Sequence, residues 1–101
     1  MRELESAIQV KGDDFSARLL LGIVQAARHA LDSATEHLNR AADIEPWVAY
    51  PHFALGGVRL EAGDRDGAVA EYRRFLALAA QNDPDVAVAR QRLAELGAAT
   101  R

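Results

Sequence analysis

The sequence of 101 residues contains no cysteine, which excludes disulfide bonds and thiolate metal sites. Charge of neither sign dominates: the net charge is −3 and 27% of residues are charged, so no strongly basic surface for nucleic acid is expected. Long apolar runs are also missing. No stretch could cross a bilayer, and no signal-type apolar segment follows the first residues, so we expect a cytoplasmic protein that does not span a membrane.

Apolar residues make up 50% of the chain, enough for one domain with a modest core. They recur at helical spacing in residues 55–78, on either side of a Gly63-Asp64 turn. This pattern predicts two amphipathic helices that form a hairpin. One such hairpin cannot bury its own apolar face, so it needs similar neighbours.

Copies of this hairpin are present at a fixed offset of 34 residues. The matching pairs are Leu21-Gly22 with Leu55-Gly56, Ala34 with Ala68, Leu38 with Tyr72, and Gly63 with Gly97. A two-helix repeat of this length resembles the tetratricopeptide repeat (TPR) family. The resemblance implies an all-α fold, a right-handed α-α superhelix of helical hairpins with about six helices.

The same repeat spacing predicts that residues 1–101 form a single TPR domain. It predicts a half repeat at 1–14, repeat one at 15–48, repeat two at 49–82, a capping helix at 83–97 and a frayed tail at 98–101. Because residues 1–11 match the second helix of a preceding repeat, the chain could be excised from a longer protein. The predominance of arginine over lysine, together with abundant alanine, is typical of a GC-rich bacterial genome.

Two glycines and one aromatic residue predict how the helices pack. Gly22 and Gly56 stand where the two helices of each hairpin approach closely, at a helix-propensity cost of about 1 kcal/mol relative to alanine. Phe75 stands where the family usually has a small residue. Its ring is expected to push the next helix outward or to fill space left by Ala87 and Ala89.

Helix ends are predicted from capping residues. Asp14, Asp32 and Asp83 each precede a predicted helix and are expected to be its N-cap. His29 occupies the turn position that is glycine at Gly63, so we expect it to adopt the left-handed conformation.

The sequence contains no recognisable catalytic or cofactor motif. The three histidines lack ligand spacing, so no metal is expected. Gly56-Gly57 lies inside a predicted helix and lacks the lysine of a phosphate loop. The arginines of repeat two alternate with acidic residues, which indicates a solvated surface and no nucleic acid. We therefore predict that the protein is not an enzyme and needs no cofactor.

The remaining candidate site is the concave groove that stacked first helices form in TPR proteins. The family's groove positions correspond here to three sets: Ser16, Leu19, Ile23, Ala26; Tyr50, Phe53, Gly57, Leu60; and Pro84, Ala87, Gln91, Ala94. With Trp47 at its edge, the candidate partner-binding groove is Leu19, Ile23, Trp47, Tyr50, Phe53 and Leu60. Family members that grip chaperone C-termini carry lysine, arginine and asparagine at such positions, so the apolar lining argues against a carboxylate clamp.

An apolar groove has three interpretations. It could accept the apolar face of a peptide or partner helix. It could be closed by a second copy of the chain or by segments outside this sequence, or its residues could be mostly buried between helices. We predict a non-catalytic protein–protein interaction module that binds a peptide or partner helix. The alternative is a homo-oligomerisation or scaffolding module that closes the same surface as a homodimer.

Overall fold

The computed structural model describes residues 14–97, which form five α-helices and contain no β-strand. The helices are α1 (Phe15–Ala27), α2 (Leu31–Ile44), α3 (Tyr50–Glu61), α4 (Arg65–Leu78) and α5 (Pro84–Glu95). The predicted all-α class is confirmed for this part of the chain. The predicted helix of the half repeat and the predicted tail at 98–101 lie outside the described residues.

The helices pack as two successive hairpins followed by α5. Helix α1 packs on α2 and α3 on α4, while α2 joins the first hairpin to α3, and α5 packs on α4. A first buried cluster lies between α2 and α3 and consists of Ala34, Leu38, Leu55 and Val58. A second buried cluster lies between α4 and α5 and consists of Ala68, Tyr72, Phe75, Ala89 and Leu93.

The two mid-helix glycines are sites of close helix approach, as the sequence predicted. A Cβ atom at Gly22 would lie 2.7 Å from Cγ of Leu38, and one at Gly56 would lie 2.7 Å from Cζ of Tyr72. Both distances are shorter than carbon atoms tolerate, so only glycine allows the second helix to lie so near.

The turns that end α1, α3 and α5 share one backbone conformation. His29, Gly63 and Gly97 have positive φ values of 62°, 81° and 77°, and they are spaced 34 residues apart. The predicted left-handed conformation of His29 is confirmed. A left-handed residue after a helix turns the chain back and lets its amide bond to the helix's last carbonyls.

Two of the three predicted N-caps are confirmed and one is wrong. Asp14 accepts a hydrogen bond from the amide of Ala17 at 3.2 Å, and Asp83 accepts one from Asp85 at 2.8 Å. Helix α2 begins earlier than predicted, so its N-cap is Ala30, which makes no side-chain hydrogen bond. Asp32 lies within the first turn instead, where its negative charge still favours the helix dipole.

Phe75 fills space beside a small residue on the following helix. Its side chain is fully buried in the second cluster together with Ala89, which is also fully buried. Ala87, the other small residue predicted to make room, is exposed. The prediction is therefore confirmed at Ala89 and wrong at Ala87.

Among residues 14–97, none of the helices combines the length and apolar character needed to cross a membrane.

Candidate partner-binding face

One side of α3 carries most of the predicted groove residues. Tyr50, Phe53, Gly57 and Leu60 follow one another at three- and four-residue spacing, which places them on one side of a helix. We call these four residues the α3 face. Phe53 and Leu60 are half-buried and pack against the second cluster, whereas Tyr50 is 38% exposed.

Aromatic rings connect this face to the core. The ring centroid of Phe53 lies 6.0 Å from that of Tyr50, 5.8 Å from that of Tyr72 and 5.1 Å from that of Phe75. The Phe53–Tyr72 pair is edge-to-face, with an interplanar angle of 72°. Distances in this range are favourable for aromatic pairs. Phe53 therefore anchors the α3 face to the core, and its ring is only partly available to a partner.

The outer part of the face is exposed. Trp47, in the connection just before α3, is 69% exposed, so its ring does not lie in the core. Tyr50 lies three residues further on, and its exposed ring adjoins Phe53. Large aromatic side chains left in water cost free energy, and they are enriched where a protein binds a partner.

Helix α1 contributes less to this surface than predicted. Leu19 packs against the first cluster, and Ile23 is half-buried. Helix α1 touches α3 only over a small contact. The structure thus places Tyr50, Phe53 and Leu60 on one side of α3, with Trp47 in the connection before it, and leaves the two α1 residues on the other hairpin.

A polar group at one end of the aromatic row was not predicted from the sequence. Arg92, on α5, donates a hydrogen bond from a terminal guanidinium nitrogen to the hydroxyl oxygen of Tyr72 at 3.2 Å. Burial raises the pKa of the Tyr72 hydroxyl, and the charge and hydrogen bond of Arg92 act in the opposite direction. The available signal was the tyrosine at a position that is leucine in the first hairpin.

Gly57 lies beside that hydroxyl without a close contact. A Cβ atom placed on Gly57 would have one heavy-atom neighbour within 4 Å beyond its own helix, the hydroxyl oxygen of Tyr72 at 3.9 Å. Gly57 therefore differs from Gly56, its neighbour in sequence, because no helix presses against it.

A second polar pair joins α3 to α4. Nδ1 of His52 lies 2.8 Å from a carboxylate oxygen of Glu71, whose side chain is 7% exposed, and Arg74 approaches the other oxygen at 3.4 Å. The equivalent positions of the first hairpin form a similar pair, with Arg18 2.9 Å from Nδ1 of His37. Because both pairs bridge the two helices of a hairpin, we assign them to hairpin packing. No group of three or more metal-binding side chains occurs in residues 14–97.

Comparisons with known proteins identify no family. No family profile matches the sequence, and no curated protein matches it. Among solved structures, the chain is similar to protein BPP2914 from Bordetella parapertussis, whose structure was determined in solution. The two share 28% sequence identity with a TM-score of 0.68, over 96% of this chain and 80% of the other. This similarity supports the all-helical fold that residues 14–97 adopt.

Proposed function

We propose that the chain is a tetratricopeptide-like repeat module that binds an apolar peptide or helix of a partner protein and performs no catalysis. The observation that carries the proposal is the exposure of Trp47 and of Tyr50, whose ring adjoins that of the half-buried Phe53. Protein–protein interfaces are built around such aromatic anchors. The proposal places the protein in the bacterial cytoplasm, as expected from its composition.

The repeat assignment has its own support. Left-handed turn residues recur every 34 residues, and glycines recur with the same spacing where paired helices touch. A helical hairpin of this length is the unit of tetratricopeptide arrays. In such an array the first helices α1, α3 and α5 line one surface, and the α3 face is its centre.

The interaction is tested by selecting peptides with the chain itself. Random dodecapeptides displayed on phage are selected on the immobilised wild-type protein and then screened on a Trp47→Ala/Tyr50→Ala variant. Both residues are exposed, so the variant should keep its helicity and thermal melting. We expect the enriched peptides to bind the wild type and to lose at least about tenfold in affinity on the variant, since aromatic anchors commonly contribute 2 kcal/mol or more.

Leu78→Ala is the matched control, because Leu78 is 42% exposed and lies on α4, outside the α3 face. It should leave peptide binding unchanged. Light scattering across a dilution series of the same proteins tests the alternative. Suppose that the wild type is a dimer, that Trp47→Ala/Tyr50→Ala converts it to a monomer, and that no peptide is enriched. Self-assembly would then replace peptide binding as the proposed function.

A further inference from the structure

We propose that the partner segment carries an arginine next to its apolar residues, and that this arginine stacks on Trp47 and pairs with Asp43 and Glu45. This inference rests on the proposed function, because it names the charge of the segment that binds the α3 face. It depends on three observations: an exposed indole held in a turn, two carboxylates close to it in the chain, and a helix end that lacks a neutralising cation.

The indole belongs to the turn 45–48, which connects α2 to α3. The amide of Val48 donates a hydrogen bond to the carbonyl oxygen of Glu45 at 3.1 Å, so Pro46 and Trp47 occupy the two central positions of the turn. Proline fixes one backbone angle there, and Trp47 is 69% exposed. A ligand that stacks on this ring meets a backbone that is already ordered, which lowers the entropic cost of binding.

The two carboxylates flank the end of α2. Asp43 lies in the last turn of the helix and is exposed, and Glu45 is the C-cap and is half-buried. Neither forms an ion pair within residues 14–97, although Arg40 precedes them on α2. Both are therefore available to a cation that approaches the turn.

The end of α2 differs from the other helix ends in its charge. The C-terminal end of a helix carries a partial negative charge, so carboxylates are unfavourable there and cations are favourable. Helix α1 is followed by Arg28, and α3 and α5 have Arg59 and Arg92 in their last turns, whereas the last turn of α2 contains no basic residue. Of the five described helices, α2 alone ends in two carboxylates without a cation. A cation from the partner would neutralise this end.

Arginine is the side chain that fits both parts of the site. A guanidinium stacks on the face of an indole and donates hydrogen bonds to carboxylates at its edge. The turn also adjoins the α3 face, because α3 begins at Tyr50, whose ring centroid lies 6.0 Å from that of Phe53. A segment with its apolar side chains on the α3 face therefore reaches the turn 45–48 with one of its ends.

The test uses three pools of dodecapeptides that are acetylated and amidated, so that side chains supply the only charges. Each pool carries Leu, Ile, Phe or Tyr at three central positions and serine elsewhere. The pools differ in the residue placed near both ends, so that either orientation brings one to the turn: arginine, its uncharged isostere citrulline, or glutamate. By calorimetry, we expect the arginine pool to bind about fivefold or more tightly than the citrulline pool, with a preference that shrinks as salt is added.

Variants locate the contact. Asp43→Asn/Glu45→Gln should remove the preference for arginine while the citrulline pool binds as before. Asp32→Asn/Glu36→Gln is the matched control, since these carboxylates are exposed in the first half of the same helix, and it should keep the preference. Trp47→Leu retains an apolar side chain without an aromatic face, and it should reduce the preference.

Melting temperatures without peptide test the helix end by itself. Asp43→Asn/Glu45→Gln should melt about 2 °C or more above the wild type, because it removes charges that oppose the helix dipole. The control variant should melt no higher than the wild type. A lower melting temperature for Asp43→Asn/Glu45→Gln would overturn the inference, because the two carboxylates would then be stabilised within the free chain.

The outcomes separate the two proposals. Equal binding of the arginine and citrulline pools would overturn the arginine inference and leave the apolar groove intact. Tightest binding of the glutamate pool, or a preference for arginine that survives in Asp43→Asn/Glu45→Gln, would also overturn it. If no pool binds, both the groove and its arginine contact are rejected.

Discussion

The two helical hairpins of this protein have the same frame but fill it with different chemistry. In the first hairpin Gly22 accommodates the aliphatic side chain of Leu38, and in the second Gly56 accommodates the ring of Tyr72. The inter-helix polar pair is Arg18 with His37 in the first and His52 with Glu71 in the second. The shared glycine positions therefore determine where the helices touch, and the residues that differ give each hairpin its own side-chain chemistry.

The second hairpin carries most of the aromatic side chains on which the proposed binding surface rests. Its tyrosine brings a hydroxyl to the edge of the α3 face, where the leucine of the first hairpin brings only methyl groups. The adjacent Gly57 carries no side chain beside that hydroxyl, whereas the equivalent position in the first hairpin is Ile23. The shared residues thus maintain packing, and the proposed function rests on residues that differ between the two hairpins.

The largest expected effect comes from the two close-approach glycines. Gly56→Leu should destabilise the fold by about 3 kcal/mol or more, because three ring carbons of the buried Tyr72 lie within 2.9 Å of the added Cβ. Gly22→Leu should cost less, since only two side-chain atoms of Leu38 lie within 3.0 Å of its Cβ and the next atom, the backbone nitrogen of Leu38, lies at 3.3 Å. Urea denaturation of both variants measures the difference.

Gly57→Ala is the control for this prediction. Its Cβ would meet only the Tyr72 hydroxyl at ordinary contact distance, so the substitution should stabilise the helix by about 0.5–1 kcal/mol. Equal losses for Gly56→Leu and Gly22→Leu would show that the ring of Tyr72 yields as readily as Leu38. The contrast between rigid and flexible partners would then be wrong.

The next effect concerns the polar pair of the second hairpin. Glu71→Ala should destabilise the protein by about 2 kcal/mol, because it leaves the largely buried His52 without its hydrogen-bond partner. A double-mutant cycle with His52→Ala isolates the pair, and we expect a coupling of about 1 kcal/mol. The cycle of Arg74→Ala with Glu71→Ala is the control.

Arg74 is 61% exposed, so its coupling to Glu71 should be only a few tenths of a kcal/mol. Additive losses for His52 and Glu71 would mean that their 2.8 Å contact contributes nothing beyond the packing of each side chain.

Sequence patterns predicted the parts of the fold that depend on backbone geometry. The glycine positions at Gly22 and Gly56, the left-handed His29, and the caps Asp14 and Asp83 were all evident, because each reflects a local steric or hydrogen-bonding need. The wrong N-cap at Asp32 has a local cause too. An acidic residue is favourable both as a cap and within the first turn, so residue type alone does not separate the two positions.

The candidate site was predicted less well than the fold. Helical spacing placed Tyr50, Phe53 and Leu60 on one side of α3, but it could not show that Phe53 packs on Tyr72 and Phe75. The contact between Tyr72 and Arg92 joins two helices and depends on the angle between α5 and α4. Spacing within one helix carries no information about that angle.

A third prediction transfers a cap from one hairpin to the other. Ala30 has φ −86° and ψ 77°, nearly the same as the φ −90° and ψ 85° of Asp64, which caps α4 through the amide of Gly67 at 2.9 Å. Ala30→Asp should therefore cap α2 and raise the free energy of unfolding by about 1 kcal/mol. Thermal denaturation measures the gain.

Ala30→Asn is the control for charge, because Asp32 lies two residues away and would repel a second carboxylate. Asparagine should give a similar or larger gain, and Ala30→Leu should give none. If neither Asp nor Asn stabilises the protein, the matching backbone angles do not suffice to form the cap.

The smallest effect is a pH dependence of the free energy of unfolding that Tyr72 introduces and its aliphatic counterpart Leu38 cannot. Burial raises the pKa of Tyr72 in the folded state, so above about pH 10 the unfolded chain loses this proton first. The folded state then holds more protons than the unfolded state, and the free energy of unfolding falls as pH rises, by less than about 1.4 kcal/mol per pH unit from this group.

Tyr72→Phe should remove that slope, at a cost at neutral pH of no more than about 1 kcal/mol for the hydrogen bond from Arg92. Urea midpoints between pH 8 and pH 11 measure these slopes, and the same slope in the wild type and Tyr72→Phe would mean that the hydroxyl is as well solvated in the folded chain as in the unfolded one.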